Sequence, residues 1–148
     1  MSLLVSKQTN PGIYSDFSVD GAQTSPLTTI HHGRNGHTEE LKLYLGREAG
    51  NTSTFTNVCV TPVTSGVADI GSGVNPGTTG WGVKVIIDPG HEPTEAEWDA
   101  IDYGAFAEFA NISTDTKLPF WFRIESPRGI IVQNKTNISL LVTFTETP

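Results

Sequence analysis

The clearest pattern along the chain is the alternation of apolar and polar positions at a period of two, the repeat of a half-buried β-strand. It is strongest between Leu118 and Thr147. Leu118, Pro119, Phe120, Trp121, Phe122, Arg123 and Ile124 form an aromatic-rich, β-prone segment. Further on, Ile138, Leu140, Val142 and Phe144 alternate with Ser139, Leu141, Thr143 and Thr145. Between the two, Ser126-Pro127-Arg128-Gly129 reads as a turn, Ile130 to Val132 as a short apolar patch and Gln133 to Asn137 as a polar loop. The two strands are therefore expected to close the chain as a hairpin-like unit.

Upstream, Leu41, Leu43 and Leu45 face one way while Glu40, Lys42 and Tyr44 face the other. The Gly33-Arg34-Asn35-Gly36 turn is expected to join this strand to Pro26–His32 as a hairpin, because Asn and Gly supply the positive φ that tight turns need. Phe55 to Val63 reads as a strand with Phe55, Asn57 and Cys59 on one side and Val58 and Val60 on the other. Trp81, Val83, Val85 and Ile87 alternate with Gly82, Lys84, Ile86 and Asp88, and Asp88-Pro89-Gly90 closes that strand. In Ala105 to Ile112, Phe106, Glu108 and Ala110 oppose Ala107 and Phe109. One helix is predicted, since Thr94-Glu95-Ala96-Glu97 has the spacing of a capping box and leads into Trp98.

Two stretches lack a period. Residues 1–24 carry only Ile13, Tyr14 and Phe17 as isolated apolar anchors, with turn signals at Pro11-Gly12 and Asp20-Gly21. They read as an extended N-terminal arm with room for one short strand, packing along its own domain or reaching a neighbour, and removal of residues 2–12 is expected to leave the domain folded. Thr64 to Gly80, rich in Gly, Ser, Thr, Asn and Pro, reads as a contact loop or a disordered one. With turn signals at roughly ten-residue spacing, the remaining chain, 25–148, is expected to form one all-β antiparallel sandwich of about seven or eight strands with one short helix.

Composition agrees. A chain of 148 residues suits a single core, and its 36% hydrophobic and 17% charged residues leave a balance of Thr, Ser, Gly, Asn and Pro that favours strands and turns. The net charge of −7 and pI near 4.9 argue against a nucleic-acid surface, which needs clustered Lys and Arg. The lone Cys59 excludes an intrachain disulfide and is expected to be a buried small hydrophobe. The opening Met-Ser-Leu-Leu-Val-Ser-Lys-Gln-Thr-Asn has no long apolar core or cleavage pattern, so neither a signal peptide nor a membrane span is expected. Asn-x-Ser/Thr triplets at Asn51, Asn111, Asn134 and Asn137 read as chance matches in a chain rich in Ser and Thr.

Four constellations carry candidate chemistry. His31, His32 and His37, with Glu39, have the residue types of a metal site, but adjacent strand residues point to opposite faces, so His31 and His32 do not converge. Asp88, His91, Glu92 and Glu95 place carboxylates beside an imidazole, and helix N-terminal carboxylates already answer to the helix dipole. Gly71-Ser72-Gly73 and Gly77 to Gly80 lack the Lys and helix of a phosphate loop. Trp81, Trp98, Trp121, Tyr14, Tyr44 and Tyr103 have the residue types of a sugar-binding face, with Trp81 and Trp121 expected in the core. The expectation is a protein that is not an enzyme, with no catalytic, cofactor-binding or metal-ligating residues and no cofactor.

The order of Pro26-Leu27, His32-Gly33-Arg34 and Gly36, the Glu40-Leu41-Lys42-Leu43-Tyr44-Leu45 strand, and Leu118-Pro119-Phe120-Trp121-Phe122-Arg123 with Pro127 and Gly129 resembles the immunoglobulin-like virion structural proteins of tailed bacteriophages. The resemblance spans residues 25 to 147 and carries over no catalytic residue. It implies an immunoglobulin-like sandwich and a capsid decoration or cement protein, located in the virion and assembled in the host cytoplasm. The implied partners are the major capsid protein or other virion proteins, with a homo-oligomer as a further option and neither nucleic acid nor membrane as a partner. The alternatives are a carbohydrate-binding or adhesion module and a head-tail or tail accessory protein.

Overall fold

The structure is a computed structural model and describes residues 3–10, 13–16, 18–19, 22–23, 29–31, 38–64, 82–125, 133–135 and 138–148. In chain order the strands are β1 (Leu3–Asn10), β2 (Ile13–Asp16), β3 (Ser18–Val19), β4 (Ala22–Gln23), β5 (Thr29–His31), β6 (Thr38–Arg47), β7 (Thr54–Thr64) and β8 (Gly82–Ile87). The helix α1 (Glu95–Asp99) follows, then β9 (Ala107–Glu108), β10 (Leu118–Glu125), β11 (Gln133–Lys135) and β12 (Ile138–Thr147). A five-stranded sheet runs β2-β1-β6-β10-β8 and a three-stranded sheet runs β12-β7-β9, every pairing antiparallel. Two small ribbons, β11-β5 and β3-β4, complete the described strands.

The two larger sheets share one core, as an antiparallel all-β sandwich requires. β10 sits between β6 and β8 with Phe120 opposite Leu43 and Ile87, and Phe122 opposite Leu41 and Val85. The inner face of this sheet thus presents Leu43, Leu45, Val83, Val85, Phe120, Phe122 and Ile124, all buried. From the other sheet come Phe55, Val58, Val60 and Ala107, with Phe109 just beyond β9. The Phe109 and Phe120 rings meet edge to face, 5.6 Å between centroids at 87°, which joins the two layers.

Several pairings differ from those expected of the sequence. The hairpin-like ending is not formed: β10 lies in the five-stranded sheet and β12 in the three-stranded one. β5 pairs with β11, from Thr29 opposite Lys135 to His31 opposite Gln133, so the expected β5–β6 hairpin gives way and part of the expected polar loop is a strand. Strands of two to four residues are too short to display a period, which is why more strands form than the alternation counts. The turn tetrapeptide Gly33–Gly36, the Ile130–Val132 patch and nearly all of the Thr64–Gly80 loop lie outside the described residues.

β1 pairs with β6 from Leu3 opposite Arg47 to Ser6 opposite Tyr44, and Leu3 and Val5 are buried in the core. Asn10 pairs with Ile13 and Val19 with Ala22, on either side of the two turn dipeptides, which themselves lie outside the described residues.

One residue changes the parity of β7. Cys59 pairs with Thr143 and Thr56 with Thr145, so Asn57 and Val58 together oppose Phe144. This is a β-bulge, and Asn57 adopts φ +52° in it. The extra residue turns Phe55 onto the same inner face as Val58 and Val60, while Asn57 and Cys59 face outward, correcting the grouping of Phe55 with Asn57 and Cys59. Phe55 then meets Phe144 edge to face at 5.1 Å. Asn suits the site because its short polar side chain tolerates the left-handed region better than other side chains do.

Asn57→Val should destabilise the protein by about 1–2 kcal/mol, the cost of a non-glycine residue in the left-handed region, and Asn57→Gly should not. Urea titration of both variants checks this, and equal midpoints would remove the bulge from the account. Deleting residues 2–12 withdraws Leu3 and Val5 from the core at roughly 1.5–3 kcal/mol each, which is a large part of a domain's usual stability. The truncated chain should show a much lowered or absent thermal transition, contrary to a dispensable arm.

Candidate functional site

The register that turns Phe120, Phe122 and Ile124 inward turns Trp121 and Arg123 outward, together with Lys42 and Tyr44 on β6 and Lys84 and Ile86 on β8. The outer face of the five-stranded sheet is therefore a polar and aromatic surface. Trp121, expected in the core, is half-buried on it.

One half of this face lies beneath α1. The helix starts as its capping box dictates: the Glu97 N–H donates to Thr94 Oγ1 at 3.3 Å and the Thr94 N–H to Glu97 Oε1 at 3.1 Å. His91 Nε2 lies 2.7 Å from the same carboxylate oxygen. The backbone hydrogen bond from Thr94 and then the His91 contact hold the Glu97 carboxyl below the usual carboxylate range.

The helix delivers Trp98, which is 0% exposed, onto two buried cations. The Arg123 guanidinium lies 5.6 Å from the Trp98 ring, and Lys84 Nζ donates to the Trp98 carbonyl at 2.9 Å while standing 4.4 Å over the Tyr103 ring. Aromatic faces and carbonyls replace the water that these cations lose. Arg123 Nη1 also reaches Glu95 Oε2 at 3.2 Å and Glu40 Oε1 at 3.7 Å. Burial pushes the Glu40 carboxyl up, Arg123 opposes the shift, and Glu92 and Glu95 add to it. Burial, followed by a hydrogen bond to Glu125, pushes the Tyr103 phenol up to about 12.

The other half is open. Lys42 Nζ lies 5.7 Å from the Tyr44 ring, 5.9 Å from the Trp121 ring and 3.7 Å from Asp88 Oδ2. The Trp121 indole donates to Asp88 Oδ1 at 3.2 Å, and the Tyr44 hydroxyl donates to Gln8 Oε1 at 3.1 Å. These contacts fix both ring planes on a sheet. The arrangement offers stacking surface with hydrogen-bonding groups at its edges, the chemistry of adhesion to a ligand with apolar faces and polar rims.

The remaining candidates separate. His31 sits in β5, while His32 and His37 lie outside the described residues. Among the described residues no three His, Cys, Asp or Glu side chains are placed to hold a metal ion. In the Asp88, His91, Glu92 and Glu95 group, Asp88 accepts from Trp121 and Gly90, His91 meets Glu97, and Glu95 meets Arg123. Three of its members are thus turned to different partners. The glycine-rich stretches at 71–80 and Trp81 lie outside the described residues, as does the side chain of Tyr14. Cys59, expected in the core, is half-buried on the outer face of β7 because the bulge sets that parity.

The layer of buried cations was not legible as such. Its signal is the polar residue at the centre of each of two apolar strands, Lys84 between Val83 and Val85 and Arg123 between Phe122 and Ile124, which only a cover on the outer face accommodates.

Because the folded state favours the neutral phenol, the stability that Tyr103 contributes is complete below its ordinary value of 10.0 and is lost as pH rises toward about 12. At about pH 11 the wild type and Tyr103→Phe should therefore show the same phenolate absorbance. An excess of one ionised tyrosine in the wild type would refute the burial of this phenol.

Compared with family models, with curated protein sequences and with solved structures, the chain matches none.

Proposed function

We propose that the protein is a non-enzymatic structural component of a tailed-bacteriophage virion, a capsid decoration or cement protein that binds across capsid subunits. The observation that carries this reading is that the two stretches bearing the resemblance to immunoglobulin-like virion proteins, Glu40–Leu45 and Leu118–Arg123, are adjacent strands paired in register at the centre of the larger sheet. The resemblance therefore falls on the frame of the sandwich. Such a frame serves a cement role through its paired central strands, whose inward side chains are committed to the core, so that contacts at its surface lose little conformational freedom on attachment.

A second reading, a carbohydrate-binding or adhesion module, is favoured by the open Tyr44, Lys42 and Trp121 face. One set of measurements separates the two. Mass spectrometry of purified particles whose major capsid gene neighbours this gene should find the protein at a fixed ratio to the capsid protein. Adding it to particles stripped of it should raise their thermal stability. Absence from the particles, together with glycan binding lost in Trp121→Ala, would reject the cement role in favour of adhesion.

A further inference from the structure

β12 carries a strand edge whose hydrogen bonds no described part of the sandwich uses. It runs for ten residues and pairs along its length with β7. On its other side no described residue bonds to its backbone. Other edges are short or covered: β2 has four residues, β9 has two, and on β8 the Val83 carbonyl accepts the Gly104 N–H at 2.8 Å. A long row of unpaired N–H and C=O groups is a template for another strand, and sheet proteins usually blunt it with Lys, Pro or a bulge in the edge strand. β12, with the sequence Ile-Ser-Leu-Leu-Val-Thr-Phe-Thr-Glu-Thr, contains no Lys, Arg or Pro, and its bulge lies in β7.

The side chains indicate what completes the edge. Leu140, Val142 and Phe144 pack against the core yet remain only partly buried, whereas Val58 and Val60 beside them on β7 are 0% exposed. The core thins out at this edge. On the outer face Leu141 is 51% exposed. The only charge on the strand is Glu146, in a chain of net charge −7.

We propose that β12 pairs antiparallel with β12 of a second copy of the chain, fusing two three-stranded sheets into one continuous sheet in a two-fold homodimer. A two-fold axis perpendicular to the sheet sets inner face beside inner face, so the partly buried Leu140, Val142 and Phe144 of each copy cover those of the other. Centred on Val142, the pairing places Leu140 opposite Phe144, Leu141 opposite Thr143 and Glu146 opposite Ile138. Centred on Thr143, it places Glu146 opposite Leu140. In either register no two carboxylates meet, so this long edge strand, with a single charge in an acidic protein, complements itself. A basic partner would find a single carboxylate on β12 to recognise. The dimer follows from the chemistry of this edge and is independent of the virion reading.

Sedimentation equilibrium of the full chain tests the dimer directly. The wild type should be dimeric at tens of micromolar, roughly the range of a standard-strength contact, and dissociate on dilution. Thr143→Lys sets like charges on facing strands and should raise the dissociation constant by about tenfold or more, while Thr143→Val, which keeps a good strand former, should not. Hydrogen exchange supplies a readout that needs no variant, since β12 amides should gain protection as wild-type concentration rises. A wild type that stays monomeric at about 100 μM would overturn the proposal. So would a Thr143→Lys protein that dimerises as well as the wild type, or β12 amides whose exchange is indifferent to concentration.

Discussion

The register of β10 against β6 is the constraint on which the rest of the structure depends. Eight consecutive pairs, from Leu118 opposite Leu45 to Glu125 opposite Thr38, fix it. Because side chains alternate across a strand, a slip of one residue would exchange Phe120, Phe122 and Ile124 for Trp121, Arg123 and Glu125 on the inner face. Two charges would then enter a core that holds Phe55, Val58 and Val60 at 0% exposure. Among the described residues the core there is an apolar cluster, and the desolvation cost of burying charge in it is comparable with the stability of a whole domain.

The same register creates the polar layer outside. Arg123 and Lys84 are directly opposite one another in adjacent strands, and two cations in that position repel unless something is placed over them. α1 and the loop after it provide the cover, Trp98 over Arg123 and Tyr103 over Lys84, with Glu95 and Glu40 drawn toward the guanidinium. Asp88, His91 and Glu95 of the carboxylate and histidine group are thus each turned to a different structural partner. Trp121 and Tyr44, beyond the reach of that cover, are left on an open face.

The binding proposed for this fold falls on its faces and edges. The outer face of the larger sheet offers aromatic planes set in hydrogen-bonded positions, while β12 offers main-chain groups and a thinning core. These are different modes of recognition, stacking against strand addition, and they lie on different sheets. Occupation of one leaves the other accessible.

What the sequence determined by itself is the facing of β6, β8 and β12 and the start of the helix. Period-two alternation placed Leu43 and Leu45 opposite in sense to Lys42 and Tyr44, and Leu140, Val142 and Phe144 opposite to Leu141 and Thr143. Thr94 and Glu97 formed their capping box as their spacing required. These are local properties, set by backbone geometry within a few residues. Only the tertiary structure decided which strands pair, since alternation marks a face and carries no partner's name: β10 and β12 part to separate sheets, β5 joins β11, and β1 enters the core through Leu3 and Val5. It also decided the parity of Phe55, because one bulged residue at Asn57 reverses a strand's facing without altering its composition. Trp121 lies outside for a related reason: in an aromatic run where each residue alone is apolar enough for the core, the partner strand's register selects the alternate members that enter it.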